Sequence, residues 1–149
     1  MVFNRKNEDS DNVDLLNYIY HNAKIGSQNI ANILPKINNQ ELQNTLLNKL
    51  TQYQGIANQA SELLDNLNET PKENTIDKLS NKAGIAVNTL TDTSTSHIAE
   101  IMINESTSDI ISLTKKMNEN IDCPQNVSNL YNDLINIEEQ NTEDLKQFL

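Results

Sequence analysis

Residues 11–67 read "DNVDLLNYIYHNAKIGSQNIANILPKINNQELQNTLLNKLTQYQGIANQASELLDNL", and their periodicity decides the fold class. Apolar or small side chains recur at Val13, Leu16, Tyr20, Ala23, Ser27, Ile30 and Leu34, in alternating steps of three and four. That spacing draws one buried stripe along a helix. Asp11 can cap it, Asp14 suits the positive end of its dipole, and Pro35 ends or kinks it. Asn38, with Glu41 three residues later, has the form of a capping box for a second helix. The second stripe is Leu42, Leu46, Leu50, Tyr53, Ala57, Ala60, Leu64 and Leu67. Two long helices joined by so short a link pack antiparallel. Gly55 sits in mid-helix, where it costs about 1 kcal/mol relative to Ala, and is expected to allow a close helix contact.

The pattern repeats downstream. Thr70, Pro71 and Glu73 supply a cap, a first-turn proline and a capping-box carboxylate for a shorter helix with a stripe of Ile76, Leu79, Ala83, Ala86 and Leu90. The next long helix is capped at Ser94 or Ser96 and carries Ala99, Ile103, Ser106, Ile110, Leu113 and Met117. A break at "NIDCP" puts Pro124 in the first turn of the last helix. Its stripe is Val127, Leu130, Leu134, Ile137, Asn141, Leu145 and Phe148. Four long helices and one short connector give an all-α, ferritin-like four-helix bundle with the connecting helix in its crossover. Residues 1–10 are polar and are expected as a flexible tail, with 11–149 as a single domain.

Bulk composition agrees with this and excludes several functions. The 149 residues suffice for one core, and with aromatics at 4% that core must be aliphatic. Three glycines and three prolines are too few for the turns of a β-rich fold. Eleven basic residues against twenty-one acidic ones give a formal charge of −10. Nucleic-acid phosphates and anionic lipid both need clustered cations, so neither is an expected partner. Cys123 is the single cysteine, which leaves no internal disulfide and no cysteine cluster for zinc. No apolar run reaches the ~18 residues of a membrane span and the first twelve residues lack a secretion signal, so the expected location is cytoplasmic. About one residue in six is asparagine, which, with the many Ile and Lys codons, suggests an AT-rich genome.

The segments "DLLNYIYHNAKIGSQNIANILPKI", "LTDTSTSHIAEIMINESTSDIISLTKKMN" and "NIEEQNTEDLKQFL" resemble an uncharacterised family of ferritin-like bundle proteins from low-GC, spore-forming bacteria. The resemblance covers nearly all of the chain after residue 10. It implies the ferritin-like fold and, through lineage, a stress or sporulation setting. The family has no assigned activity, so the resemblance implies no catalytic or ligand residue.

A di-iron bundle needs a Glu from each of two helices and a Glu-x-x-His from each of the other two, because two hard cations demand several anionic oxygens. The first half of this chain cannot supply them. No acidic residue lies between Asp14 and Glu41, or between Glu41 and Glu62, and His21 has no acid three before it. The second half keeps fragments. His97 and Glu100 have the spacing in reversed order at a helix start, and Glu138 and Asn141 have the spacing with the imidazole replaced. His97, Glu100 and Glu138 are the metal candidates, with Glu62, Asp65 or a second molecule needed to complete a site. The alternative reading is a polar rim at the helix start.

Asn141 falls on an apolar stripe, where an unpaired amide is costly. It is expected to bond Ser106 or a first-helix group and so fix helix register; the rival is that it binds a ligand. Glu138, Glu139, Glu143 and Asp144 form an acidic run, read as a solvated face or a weak calcium or magnesium site. Tyr18, Tyr20 and Tyr53 read as interhelical packing rather than an aromatic pocket. Cys123 reads as a boundary residue, since Asp122 beside it opposes a reactive thiolate. The functional expectation is a non-catalytic bundle with no cofactor, acting through self-association or a protein partner. The alternative is a sparse site for iron, zinc or manganese.

Overall fold

A computed structural model describes residues 2–72 and 90–149. Among these the chain is all-helical and forms a four-helix bundle from α1 (Val2–Ile33), α2 (Gln40–Asn66), α3 (Thr95–Asn118) and α4 (Gln125–Leu145). Short 3-10 turns follow α1 at Leu34–Lys36 and α4 at Lys146–Phe148. The expected short helix of Ile76, Leu79, Ala83 and Ala86 falls on residues outside those described, as does Glu73 of its cap.

Cross-helix contacts set the topology. Asn29 meets Glu105 while Lys116 lies over the Tyr18 ring, so α1 and α3 are antiparallel. Gly26 faces Tyr53, which makes α1 and α2 antiparallel as the short link requires. Lys49 and Tyr53 both reach Glu138, and α3 and α4 pack together across the link at residues 119–124. It follows that α2 and α3 are parallel and begin at the same end. The connection 67–94 therefore joins opposite ends of the bundle.

Local chemistry fixes the helix ends. Asn39, not Asn38, caps α2, its side chain accepting from Leu42 N at 2.9 Å. Ser94 caps α3, accepting from His97 N, and Pro124 precedes the first residue of α4. The end of α2 is closed by Asn68, whose φ of 58° is left-handed. Asn68 N donates to Asp65 O and Glu69 N to Leu64 O, both at 2.9 Å. These are the paired bonds of a Schellman ending, with asparagine in the place usually held by glycine. At the amino end the sequence reading needs correction. Backbone residues 2–10 are helical, so Asp11 lies inside α1 and caps nothing.

One aliphatic core runs through the bundle. Leu16, Ile19, Ile30, Ile33, Leu42, Leu46, Leu64, Ile98, Leu134 and Leu145 are all essentially inaccessible, and each such side chain contributes roughly 1.5–3 kcal/mol of transfer free energy. The stripes differ in detail from those expected. Ile98 and Met102 of α3 are buried, whereas Ile103, Ile110 and Met117 are only half-buried. Gly26, not Gly55, makes the close contact: a Cβ at Gly26 would stand 2.6 Å from Tyr53 Cζ, while one at Gly55 would meet nothing within 4 Å.

Candidate functional site

Midway along the bundle, where an aliphatic core would be expected, the four helices converge on polar side chains. On α2 the buried face runs Leu42, Leu46, Lys49, Tyr53, so the lysine occupies a position that the stripe assigns to a leucine. On α4 it runs Leu130, Leu134, Glu138, Asn141, Leu145. Helical spacing thus aims an ammonium and a carboxylate of opposite helices at the same space. Lys49 Nζ stands 3.0 Å from Glu138 Oε2, each side chain 2% exposed.

The pair is well provided with partners. Lys49 Nζ also donates to Ser106 Oγ at 2.6 Å and lies 4.9 Å from the centroid of the Tyr53 ring. Tyr53 OH donates to the other oxygen of Glu138. Burial, with the negative charge of Glu138 beside it, pushes the Tyr53 phenol well above its ordinary value, so Tyr53 stays protonated as the donor. Asn141 Nδ2 donates to Ser106 Oγ at 3.1 Å, the contact expected from the sequence. Gly26 completes the arrangement from α1, since only a residue without Cβ lets the Tyr53 ring lie against that helix.

Two further carboxylates flank this centre on α3. Asn29 Nδ2 of α1 donates to Glu105 Oε1 at 2.6 Å, while Glu105 Oε2 is buried and has no partner among the described residues. Asp109 stands one turn further along the same face. Desolvation holds Glu105 up at about 7 and Asp109 at about 8, the charge of Glu138 adding to both and that of Lys49 opposing. Neither was singled out in the sequence.

The residues named from the sequence do not form one site. His97 Nδ1 lies 3.8 Å from Glu100 Oε2, both side chains well exposed at the start of α3. Nine residues separate His97 from Ser106, so this pair sits ~13 Å along the helix from Glu138. Glu62 and Asp65 line a shallow groove at the far end of α2, roughly 30 Å from His97 along the bundle axis. They cannot complete its coordination within one chain. Glu138 is buried and bonded, whereas Glu139, Glu143 and Asp144 are exposed, so the acidic run divides between core and surface. Tyr53 is core, Tyr18 and Tyr20 are half-buried, and Lys116 and Lys24 lie over their respective rings. Burial pushes the half-buried Cys123 thiol up, with Asp122 adding to the effect.

A di-iron centre does not fit these residues. At its level α1 offers an amide, Asn29, and α2 offers a phenol and an ammonium, and that ammonium already takes one oxygen of Glu138. Among the described residues no three His, Cys, Asp or Glu side chains gather closely enough to share an ion. Chemically, the arrangement can hold charge and fix the relative height of α2, α3 and α4. The sequence matches no protein-family model, and no curated protein or solved structure is significantly similar to it.

Proposed function

We propose that this chain is a non-catalytic, ferritin-like helical bundle that acts through self-association or a protein partner. In this reading Lys49 supplies internally the positive charge that bound ions supply in metal-carrying bundles. The observation that carries it is the Lys49 ammonium seated between Glu138 and Ser106 at full burial. A side chain in that position answers the carboxylate with the chain's own positive charge. The parallel α2 and α3 with their long connection support the ferritin-like topology. Among the described residues the exposed large apolar side chains are Leu47 on α2, Ile111 on α3, Ile121 in the α3–α4 link and Leu149 at the last position, and these are available to a partner. Among the described residues no helix is long and apolar enough to cross a membrane, in keeping with a cytoplasmic setting, and a stress or sporulation role would follow from the lineage that the sequence resembles.

Metal analysis of the purified full chain, paired with light scattering after size exclusion, tests both halves of the proposal. The expected result is far less than one ion per chain and a mass of two or more copies at tens of micromolar. One or two ions per chain, lost in Glu138→Ala, would overturn the non-metal reading. A strict monomer with no captured partner would overturn the associative one.

A further inference from the structure

On α1 a second line of buried side chains runs beside the core stripe. Asn17, His21 and Ile25 follow one another at one-turn intervals and are 7%, 2% and 8% exposed. They lie on a different side of the helix from Leu16, Ile19, Ala23 and Ile30, and Ile25 stands outside the continuous aliphatic core. The chain that follows α2 crosses this face, since Lys72 N donates to Asn17 Oδ1 at 3.1 Å. His21 sits one turn further on, with neither ring nitrogen hydrogen-bonded among the described residues. Its ring meets the Tyr20 ring edge-on, the centroids 5.6 Å apart.

The neutral imidazole is tolerated in this position at modest cost, but the protonated form is not. A protonated ring carries two N–H donors and a full charge, and an unpaired charge away from water is expensive. The charged groups around this face give it little relief. On α1, Lys24 lies over the Tyr20 ring, and Asp14, two turns back, is exposed. From α3, Lys116 lies over the Tyr18 ring, and the chain after α2 brings Lys72, also exposed. Burial holds the His21 imidazole below its ordinary value, with no carboxylate among the described residues drawing it back up. At His97, by contrast, Glu100 stands 3.8 Å away at the surface.

We propose that His21 is an acid-responsive switch in α1, which on taking up a proton forces the face it shares with Asn17 and Ile25 open to water. For an imidazole depressed in the folded state, stability is fully present above the ordinary histidine value of about 6.5. It is lost as the pH falls from there through the folded value, because the unfolded chain takes the proton first. The window lies on the acid side of neutrality, where histidine is the side chain that ordinarily changes charge.

The test uses the full chain, whose two histidines are His21 and His97. Their imidazole resonances are titrated by NMR in the folded protein and in concentrated urea. Melting temperatures are read at pH 7.5 and pH 5.5 in wild type, His21→Leu and His21→Phe. His21 should titrate lower in the folded protein than in urea. Wild type should lose up to about 5 °C more than either variant over this interval, and a hydrophobic dye should bind at pH 5.5 to wild type alone. The proposal is overturned if His21 titrates at or above its urea value, if wild type and the variants lose equally, or if the wild-type loss comes without dye binding. Should neither variant fold, the titration and dye binding of wild type decide by themselves.

Discussion

Replacing Lys49 with Met keeps most of its aliphatic length and removes only the charge and its hydrogen bonds. Glu138 is then buried and deprived of the ammonium 3.0 Å away, while the bond from Tyr53 remains. Removing one partner of a buried ion pair typically costs about 3–5 kcal/mol, because the surviving charge is left uncompensated. Ser106 still receives Asn141, so no second orphan is created and the middle of that range, about 4 kcal/mol, is expected. For a chain of this size that is a drop of roughly 8–16 °C in melting temperature. Replacing both partners, Lys49→Met with Glu138→Leu, removes the orphaned charge, and such apolar exchanges are often neutral or stabilising by about 1–4 kcal/mol. Urea denaturation followed by circular dichroism at 222 nm gives both values and, with Glu138→Leu alone, closes a double-mutant cycle. The reasoning is refuted if Lys49→Met costs under about 1 kcal/mol, or if the double variant is as unstable as the sum of the singles.

The two mid-helix glycines should respond oppositely. Gly26→Ala drives a methyl into the Tyr53 ring and is expected to cost about 1–3 kcal/mol, whereas Gly55→Ala meets open space and should gain about 1 kcal/mol, both read from denaturant midpoints. His97→Ala and Glu100→Ala remove exposed side chains, so each should stay within about 0.5 kcal/mol of wild type with no change in metal content; a larger loss would point to a role the structure does not give them. Asn141→Leu deletes the bond to Ser106 and should leave the melting temperature within a few degrees, while broadening amide NMR lines through loss of a unique helix register. Sharp spectra from that variant would refute the register role.

The fold was legible in the sequence because long stripes at helical spacing, with few turn residues, leave little choice of class. Ser94 and the Asn141–Ser106 contact could be found for the same reason: each marks a stripe or its end. Lys49 was missed because pattern reading sends charged residues to solvent and prefers Leu50, which is only half-buried. Yet 42, 46, 49 and 53 form the more regular series, and so do 134, 138, 141 and 145. Opposite charges on two such series announce a buried pair. Glu105 and Asp109 carried no comparable signal, since both are half-buried positions off the stripe of α3. The helical residues 2–10 are too polar to display a stripe, and the structure supplied what periodicity could not.

The long connection between α2 and α3 divides the molecule into two hairpins of unequal chemistry. One brings the ammonium and the phenol to the shared centre; the other brings three carboxylates. Two copies of the second hairpin, set face to face, would oppose six acids without a counter-charge, while the mixed pairing neutralises one of three. Mispairing between chains, the hazard of any protein built from similar helical halves, is thus discouraged by charge sign before shape is consulted. Each half carries a test of its companion's identity.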